Sequence, residues 1–216
     1  MDYLGIKIDH FEQSGFRIKA ENKVIYLDPS NLKAEQVEKA DFILITHEHF
    51  DHCSVNDLKK IIAPETIVIA PAQCQQHLKT LKVKEIIYVY PNQALALDGI
   101  KVETVPAYNL DKFRSTGMVY HPKEDEKVGY IVEIQGVRIY HAGDTDNIPE
   151  MAKLSHIDIA MVPVSGTYVM TWQEAVAALE VIKPKLAIPM HYGSIIGSKE
   201  DAEKLKNSAD CPVEII

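Results

Sequence analysis

Thr46-His47-Glu48-His49-Phe50-Asp51-His52-Cys53 gathers three histidines and two carboxylates in one short stretch. It follows the apolar run Phe42-Ile43-Leu44-Ile45 directly and is followed directly by Ser54-Val55-Asn56-Asp57, which has the spacing of a helix capping box. A loop fixed by a buried strand on one side and a capped helix on the other can present several side chains to one point. Imidazole is a common zinc ligand and carboxylate a competent partner, so these residue types in this place point to a metal. An ordinary exposed loop gains nothing by collecting them at the mouth of a core strand.

Working outward, Val24-Ile25-Tyr26-Leu27, Ile67-Val68-Ile69-Ala70 and Ile86-Ile87-Tyr88-Val89 read as buried strands, the first two closed by Asp28-Pro29 and Pro71. The second half repeats the pattern at 101–105, 130–134, 137–140, 159–162 and 186–188. Helical periodicity is predicted over 54–62, 73–81, 147–154, 171–182 and 199–207, and Thr171-Trp172-Gln173-Glu174 supplies a second capping box. Hairpin-like strands open each half and strand–helix alternation follows. The expected class is α/β, with two sheets packed face to face and helices outside, as a single domain over 1–216.

Two other places share the design of an apolar strand followed by a ligand and a glycine. They are Ile139-Tyr140-His141-Ala142-Gly143-Asp144-Thr145-Asp146 and Ile188-Pro189-Met190-His191-Tyr192-Gly193. Alone, Asp144 reads as a turn residue or cap and His191 as a hydrogen-bonded strand-end residue. Together with the first loop they supply the distant carboxylate and histidine that a two-metal site requires.

The composition narrows the field. In 216 residues, 23 Lys+Arg against 31 Asp+Glu give a formal charge of −8, which disfavours nucleic acid as a partner. A hydrophobic fraction of 46% and a charged fraction of 25% are those of a globular chain, with no apolar run of membrane-spanning length. Met1-Asp2-Tyr3-Leu4-Gly5 lacks the form of a signal peptide, and Cys53, Cys74 and Cys211 show no CxxC spacing. A cytoplasmic protein with free, mostly buried thiols is expected, acting on a small-molecule substrate.

The sequence resembles the metallo-β-lactamase-fold superfamily. The signature His-x-His-x-Asp-His stands here as His47, His49, Asp51 and His52, the later family aspartate as Asp144 and the last family histidine as His191. The likeness runs from Ile25-Tyr26-Leu27-Asp28-Pro29 to His191-Tyr192-Gly193, and the compact form is most similar to the ascorbate-6-phosphate lactonase-like and N-acylphosphatidylethanolamine phospholipase D-like branch. The resemblance implies a four-layer αβ/βα sandwich with His47 and His49 on one metal, Asp51, His52 and His191 on a second, and Asp144 bridging. It also implies hydrolysis of an ester, lactone or phosphodiester by a metal-activated water that Asp51 positions or deprotonates. A nucleic-acid phosphodiesterase of the same fold and a non-catalytic metal- or ligand-binding module are the alternatives. Zinc, as one or two ions, suits the ligands, and Mn, Fe, Co or Ni would be accepted by such a mixed set.

One departure matters. Where the family motif Pro-Ala-x-His brings a third histidine to the first metal, this chain has Pro106-Ala107-Tyr108-Asn109. Three readings follow: a weaker first site, ligation through the Asn109 amide oxygen, or a neighbouring histidine in its place, for which His121 is the candidate. His10 is read either as a residue beside the metals or substrate or as a plain turn residue. His141 is read as a ligand-orienting or packed histidine, and His77 and His156 as surface residues. The hydroxyls of Tyr108, Tyr168 and Tyr192 are read as structural, with oxyanion contact the lesser alternative, and Cys53 as packing inward.

Overall fold

The computed structural model describes residues 1–20 and 22–216. The chain divides into two compact units, Met1–Tyr90 with Ile216, and Pro91–Ile215. The first unit is a seven-stranded mixed sheet in sequence order: β1 (Asp2–Tyr3), β2 (Ile6–His10), β3 (Phe16–Ala20), β4 (Lys23–Leu27), β5 (Phe42–Leu44), β6 (Ile67–Pro71) and β7 (Glu85–Val89). The first four strands pair antiparallel through short connections, and β4 to β7 pair parallel. Parallel neighbours need a crossover, and α1 (Val55–Ile61) and α2 (Gln75–Leu78) are formed in the connections that follow β5 and β6.

Alternation along the strands puts Tyr26, Ile43, Val68 and Ala70 on one face, where they pack with Leu58 and Ile61 of α1 and Leu78 of α2. The opposite side chains, Ile25, Leu27, Phe42, Leu44 and Ile69, are equally buried, as the near-continuous apolar runs foretell. Ser54 caps α1 by accepting from the Asp57 amide. The segment read as a helix over 73–81 is a 3₁₀ turn at Ala72–Cys74 followed only by the short α2.

The second unit repeats this order. Strands β8 (Ala94–Leu97), β9 (Ile100–Pro106), β12 (Val128–Ile134) and β13 (Val137–His141) pair antiparallel, and β13, β14 (Ile159–Pro163) and β15 (Leu186–Met190) pair parallel. A separate hairpin, β10 (Phe113–Ser115) and β11 (Met118–Val119), lies between β9 and β12 in the chain. Helix α3 (Trp172–Ile182) begins in the capping box read from the sequence, with the Thr171 hydroxyl and Glu174 carboxylate each accepting the other's amide, and α4 (Lys199–Ser208) packs against it.

The stretch 147–154 is a 3₁₀ helix at Pro149–Lys153, not an α-helix, its turns closed by i→i+3 bonds from the Met151 amide to Ile148 and from the Leu154 amide to Met151. Among the described residues no helix is long and apolar enough to cross a membrane.

Candidate metal centre

In both units the candidate ligands lie just past the carboxyl ends of strands, where ligands of open α/β sheets collect. In the first unit the loop after β5 carries His47, His49, Asp51 and His52. His47 and His52 are buried, and His49 is partly exposed. A buried aspartate at the end of β4 organises them. Asp28 accepts from the Thr46 amide at 2.7 Å and from the Thr46 hydroxyl at 2.6 Å. Its Oδ2 also lies 2.7 Å from His52 Nδ1.

These bonds decide the tautomers. A carboxylate only accepts, so His52 carries a proton on Nδ1 and turns Nε2 outward. Because the Thr46 hydroxyl spends its proton on Asp28, it accepts from His47 Nδ1, 3.0 Å away. His47 Nε2 stands 3.0 Å from His49 Nδ1, and His52 Nε2 stands 3.6 Å from Asp51 Oδ2.

The second unit presents its ligands in the same way. Gly143, with φ +67°, turns the chain out of β13, and Thr145 locks that turn by donating to the Tyr108 carbonyl at 3.1 Å. Gly129 on β12 leaves room for this passage, because a Cβ there would lie 2.7 Å from the carbonyl oxygens of His141 and Ala142. Asp144 is thereby held 3.1 Å from His191 Nε2 and 3.6 Å from His121 Nε2 by its Oδ2. His191 Nδ1 is braced by Ser165 Oγ at 3.0 Å. His191 itself sits at φ +58°, a left-handed conformation that costs energy for a residue other than glycine and that directs its side chain from the end of β15.

Asn109 does not stand beside Asp144 as His121 does. Its Nδ2 donates to Asp146 Oδ1 at 3.0 Å and to the Tyr168 carbonyl at 2.9 Å. Its Oδ1 receives the His121 amide at 2.9 Å and faces His121 Nδ1 at 2.9 Å. Both lone pairs of that oxygen are used.

The donor set suits a cation. Lone-pair nitrogens turned toward carboxylate oxygens at these separations repel unless a proton or metal ion lies between them. Imidazole nitrogen with carboxylate oxygen is a donor set of zinc and its neighbours, and fixed partners on the second ring nitrogen are what metal-binding histidines require.

The remaining candidates are used elsewhere. His10 faces the Gln13 carbonyl at 2.9 Å through Nε2 and the Ile216 carbonyl at 3.2 Å through Nδ1, and stacks on Phe16. Burial pushes its pKa below the ordinary histidine value despite those two acceptors. His141 is buried on β13 with Nδ1 receiving the Gly143 amide, and His77 and His156 are exposed. Tyr108 donates to Glu150 at 2.8 Å. Cys53 packs inward, and all three cysteines are free. Sequence reading missed Asp28, Thr46, Ser165 and Asp146 as partners of the site. Their signal was position, since each flanks a strand end or a ligand.

A fold of this kind, ending its strands in histidines and aspartates, defines a class of metal-binding α/β proteins. The pattern of the beta-lactamase superfamily domain matches residues 7–191, so the chain belongs to that family. It is 31% identical to a UPF0173 metal-dependent hydrolase of Archaeoglobus fulgidus over 98% of this chain and 95% of the relative. It is 29% identical to one of Thermococcus kodakarensis with the same coverage. Among solved structures it is similar to a Parabacteroides distasonis protein described provisionally as a metal-dependent hydrolase, with 32% identity, a TM-score of 0.84 and coverage of 97% of this chain and 92% of that one.

Proposed function

We propose that the protein is a zinc-dependent hydrolase that cleaves an ester, lactone or phosphodiester bond in a small-molecule substrate, in the cytoplasm. In this reading the first unit would supply His47, His49, Asp51 and His52 as metal ligands, and the second unit His121, Asp144 and His191. His121 thus takes the part that the family motif gives to the residue at Asn109.

The observation that carries the reading is the shared bracing of the rings. His47, His52, His121 and His191 each have Nδ1 held by a neighbour, and His52, His121 and His191 turn Nε2 to a carboxylate oxygen. The names of the relatives add support from outside the chain. When bound, such ions polarise the scissile group and lower the pKa of water at neutral pH.

The chain's own residues do the rest. Asp51, a carboxylate beside His52, takes up the proton of the attacking water and returns it to the leaving oxygen. Asp28 and Asn109 orient the imidazoles through Nδ1, so that Nε2 of each ring is turned toward the centre. The net charge of −8 favours a small substrate over a nucleic acid.

The test is hydrolysis of chromogenic esters, lactones and phosphodiesters by chelator-stripped protein before and after zinc is restored, beside Asp51→Asn. Zinc-dependent turnover that Asp51→Asn abolishes is the expected result. Turnover without metal would overturn the reading, and metal binding without turnover on any of the three classes would leave a non-catalytic binding module.

A further inference from the structure

The second unit holds a cavity that the metal centre does not use. Opposed residues of paired strands share a face, so Glu103 of β9, Ile131 and Glu133 of β12 and Arg138 of β13 stand on one side of the sheet. Over that face lies a cavity of about 260 Å³. It is lined from the sheet by Glu103, Val105, Ile131 and Arg138, and from the 3₁₀ helix at Pro149–Lys153 by Glu150 and Lys153. None of these is a candidate metal ligand.

The guanidinium of Arg138 is engaged through one nitrogen. Its Nη1 donates to Glu103 Oε1 at 2.6 Å and to Glu133 Oε2 at 3.2 Å. Its Nε is buried and has no acceptor among the described residues, and Nη2 makes no bond to them either. The N–H bonds of Nε and Nη2 run side by side along one edge of the planar group, the edge that takes a carboxylate through two parallel hydrogen bonds. A buried charged donor without an acceptor is destabilising, so one that persists marks a place that an acceptor fills.

The surrounding charges select that acceptor. Glu133 is also held by Lys101 at 2.7 Å, and Glu150 by Lys123 and the Tyr108 hydroxyl, each at 2.8 Å. Asp158, which accepts from the Arg138 backbone amide at 2.8 Å, is paired with Lys185 at 2.7 Å. Lys153 is exposed and makes no ion pair among the described residues. Lys101, Lys123, Arg138, Lys153 and Lys185 therefore outnumber Glu103, Glu133, Glu150 and Asp158 by one, in a chain whose formal charge is −8. One negative charge balances this excess, whereas a phosphate dianion would meet repulsion from Glu103 and Glu133. Val105, Pro106 and Ile131 offer apolar wall to a carbon skeleton. The volume falls below the roughly 300–1,000 Å³ of pockets for drug-sized ligands, so the skeleton is short.

We propose that this cavity binds a small monocarboxylic acid, its carboxylate held side-on by Nε and Nη2 of Arg138 and its carbon skeleton set against Val105, Pro106 and Ile131. Nothing in this site depends on the metal centre.

The experiment is a ¹H–¹⁵N NMR titration read at the arginine Nε–H signals, which come only from Arg17, Arg114 and Arg138, with Arg138→Lys to identify the one at issue. The probes are isobutyrate, its uncharged isostere isobutyramide, and inorganic phosphate, each added to zinc-loaded and to zinc-free protein. Isobutyrate is expected to move the Arg138 signal saturably and alike with and without zinc, and isobutyramide to leave it in place. By calorimetry Arg138→Lys, which keeps the charge but lacks the paired N–H edge, should bind isobutyrate about 10-fold more weakly. An Arg138 signal that isobutyrate does not move overturns the proposal in the unaltered chain, whatever the variant does. An unsaturated response shared by Arg17 and Arg114 reports only the screening of surface charge and overturns it too. Tighter binding of phosphate than of isobutyrate overturns the assignment to a carboxylate.

Discussion

The first unit carries its ligands in one loop, His47 to His52, while the second takes His121, Asp144 and His191 from three places separated by whole strands and helices. Both nevertheless solve one problem in one way, by fixing Nδ1 of His47 and His52 in the one and of His121 and His191 in the other on a neighbour. The neighbours differ in kind. In the first unit a single buried carboxylate, Asp28, sets two rings, one of them through Thr46. In the second unit a neutral amide sets His121 and a hydroxyl sets His191. A carboxylate adds charge as well as direction, so the two units should respond unequally when their braces are cut.

The largest effect should come from the ligands, and it tests whether both units are needed. His52→Ala and Asp144→Ala are each expected to abolish zinc-dependent hydrolysis; one that retained it would confine the centre to the other unit. Next comes Asp28→Asn, which can accept at only one oxygen. It should weaken zinc binding by roughly 10–100-fold and lower stability by about 1–3 kcal/mol in chemical denaturation, since a buried network loses a charged acceptor. Asn109→Ala should cost zinc affinity with a smaller loss of stability, because the group removed is neutral. Equal losses in the two variants would erase the distinction drawn between the braces.

Asp57 sharpens the comparison from outside the centre. Burial pushes its carboxyl pKa up, but bonds from Lys60, Ser54 and the amides of Asn31 and Leu32 outweigh this and hold it below the usual range. The stabilisation is therefore present above the ordinary carboxylate pKa and lost as pH falls through the lowered one. Asp57→Asn should cost about 1–2 kcal/mol at neutral pH and less in acid, with zinc content unchanged. The smallest effect is expected from Thr171→Ala, about 1 kcal/mol from the lost cap of α3, read from thermal unfolding.

The same contrast explains what could be read in the sequence. The loop 46–53 was legible because its ligands are neighbours in the chain and its flanks carry period and capping signals, as α1 and α3 then show. Strands 24–27, 67–70 and 159–162 were legible because they are near-continuous apolar runs of the kind that sheets covered on both faces require. β1, β8, β10 and β11 were not read, since short or exposed strands lack that signal. The departure at Asn109 was visible, but its meaning was not. That depends on Asp146 and Tyr168, 37 and 59 residues away, and no local pattern carries bonds of that range.

The central claim is that the chain binds a pair of ions, with His121 standing where the motif fails. Its most direct test is zinc per chain, by elemental analysis after saturation and desalting, in the unaltered protein and in His121→Ala. About two ions falling to about one is the predicted result for a dinuclear centre. A single ion in the unaltered protein, or the same content in both chains, would contradict it.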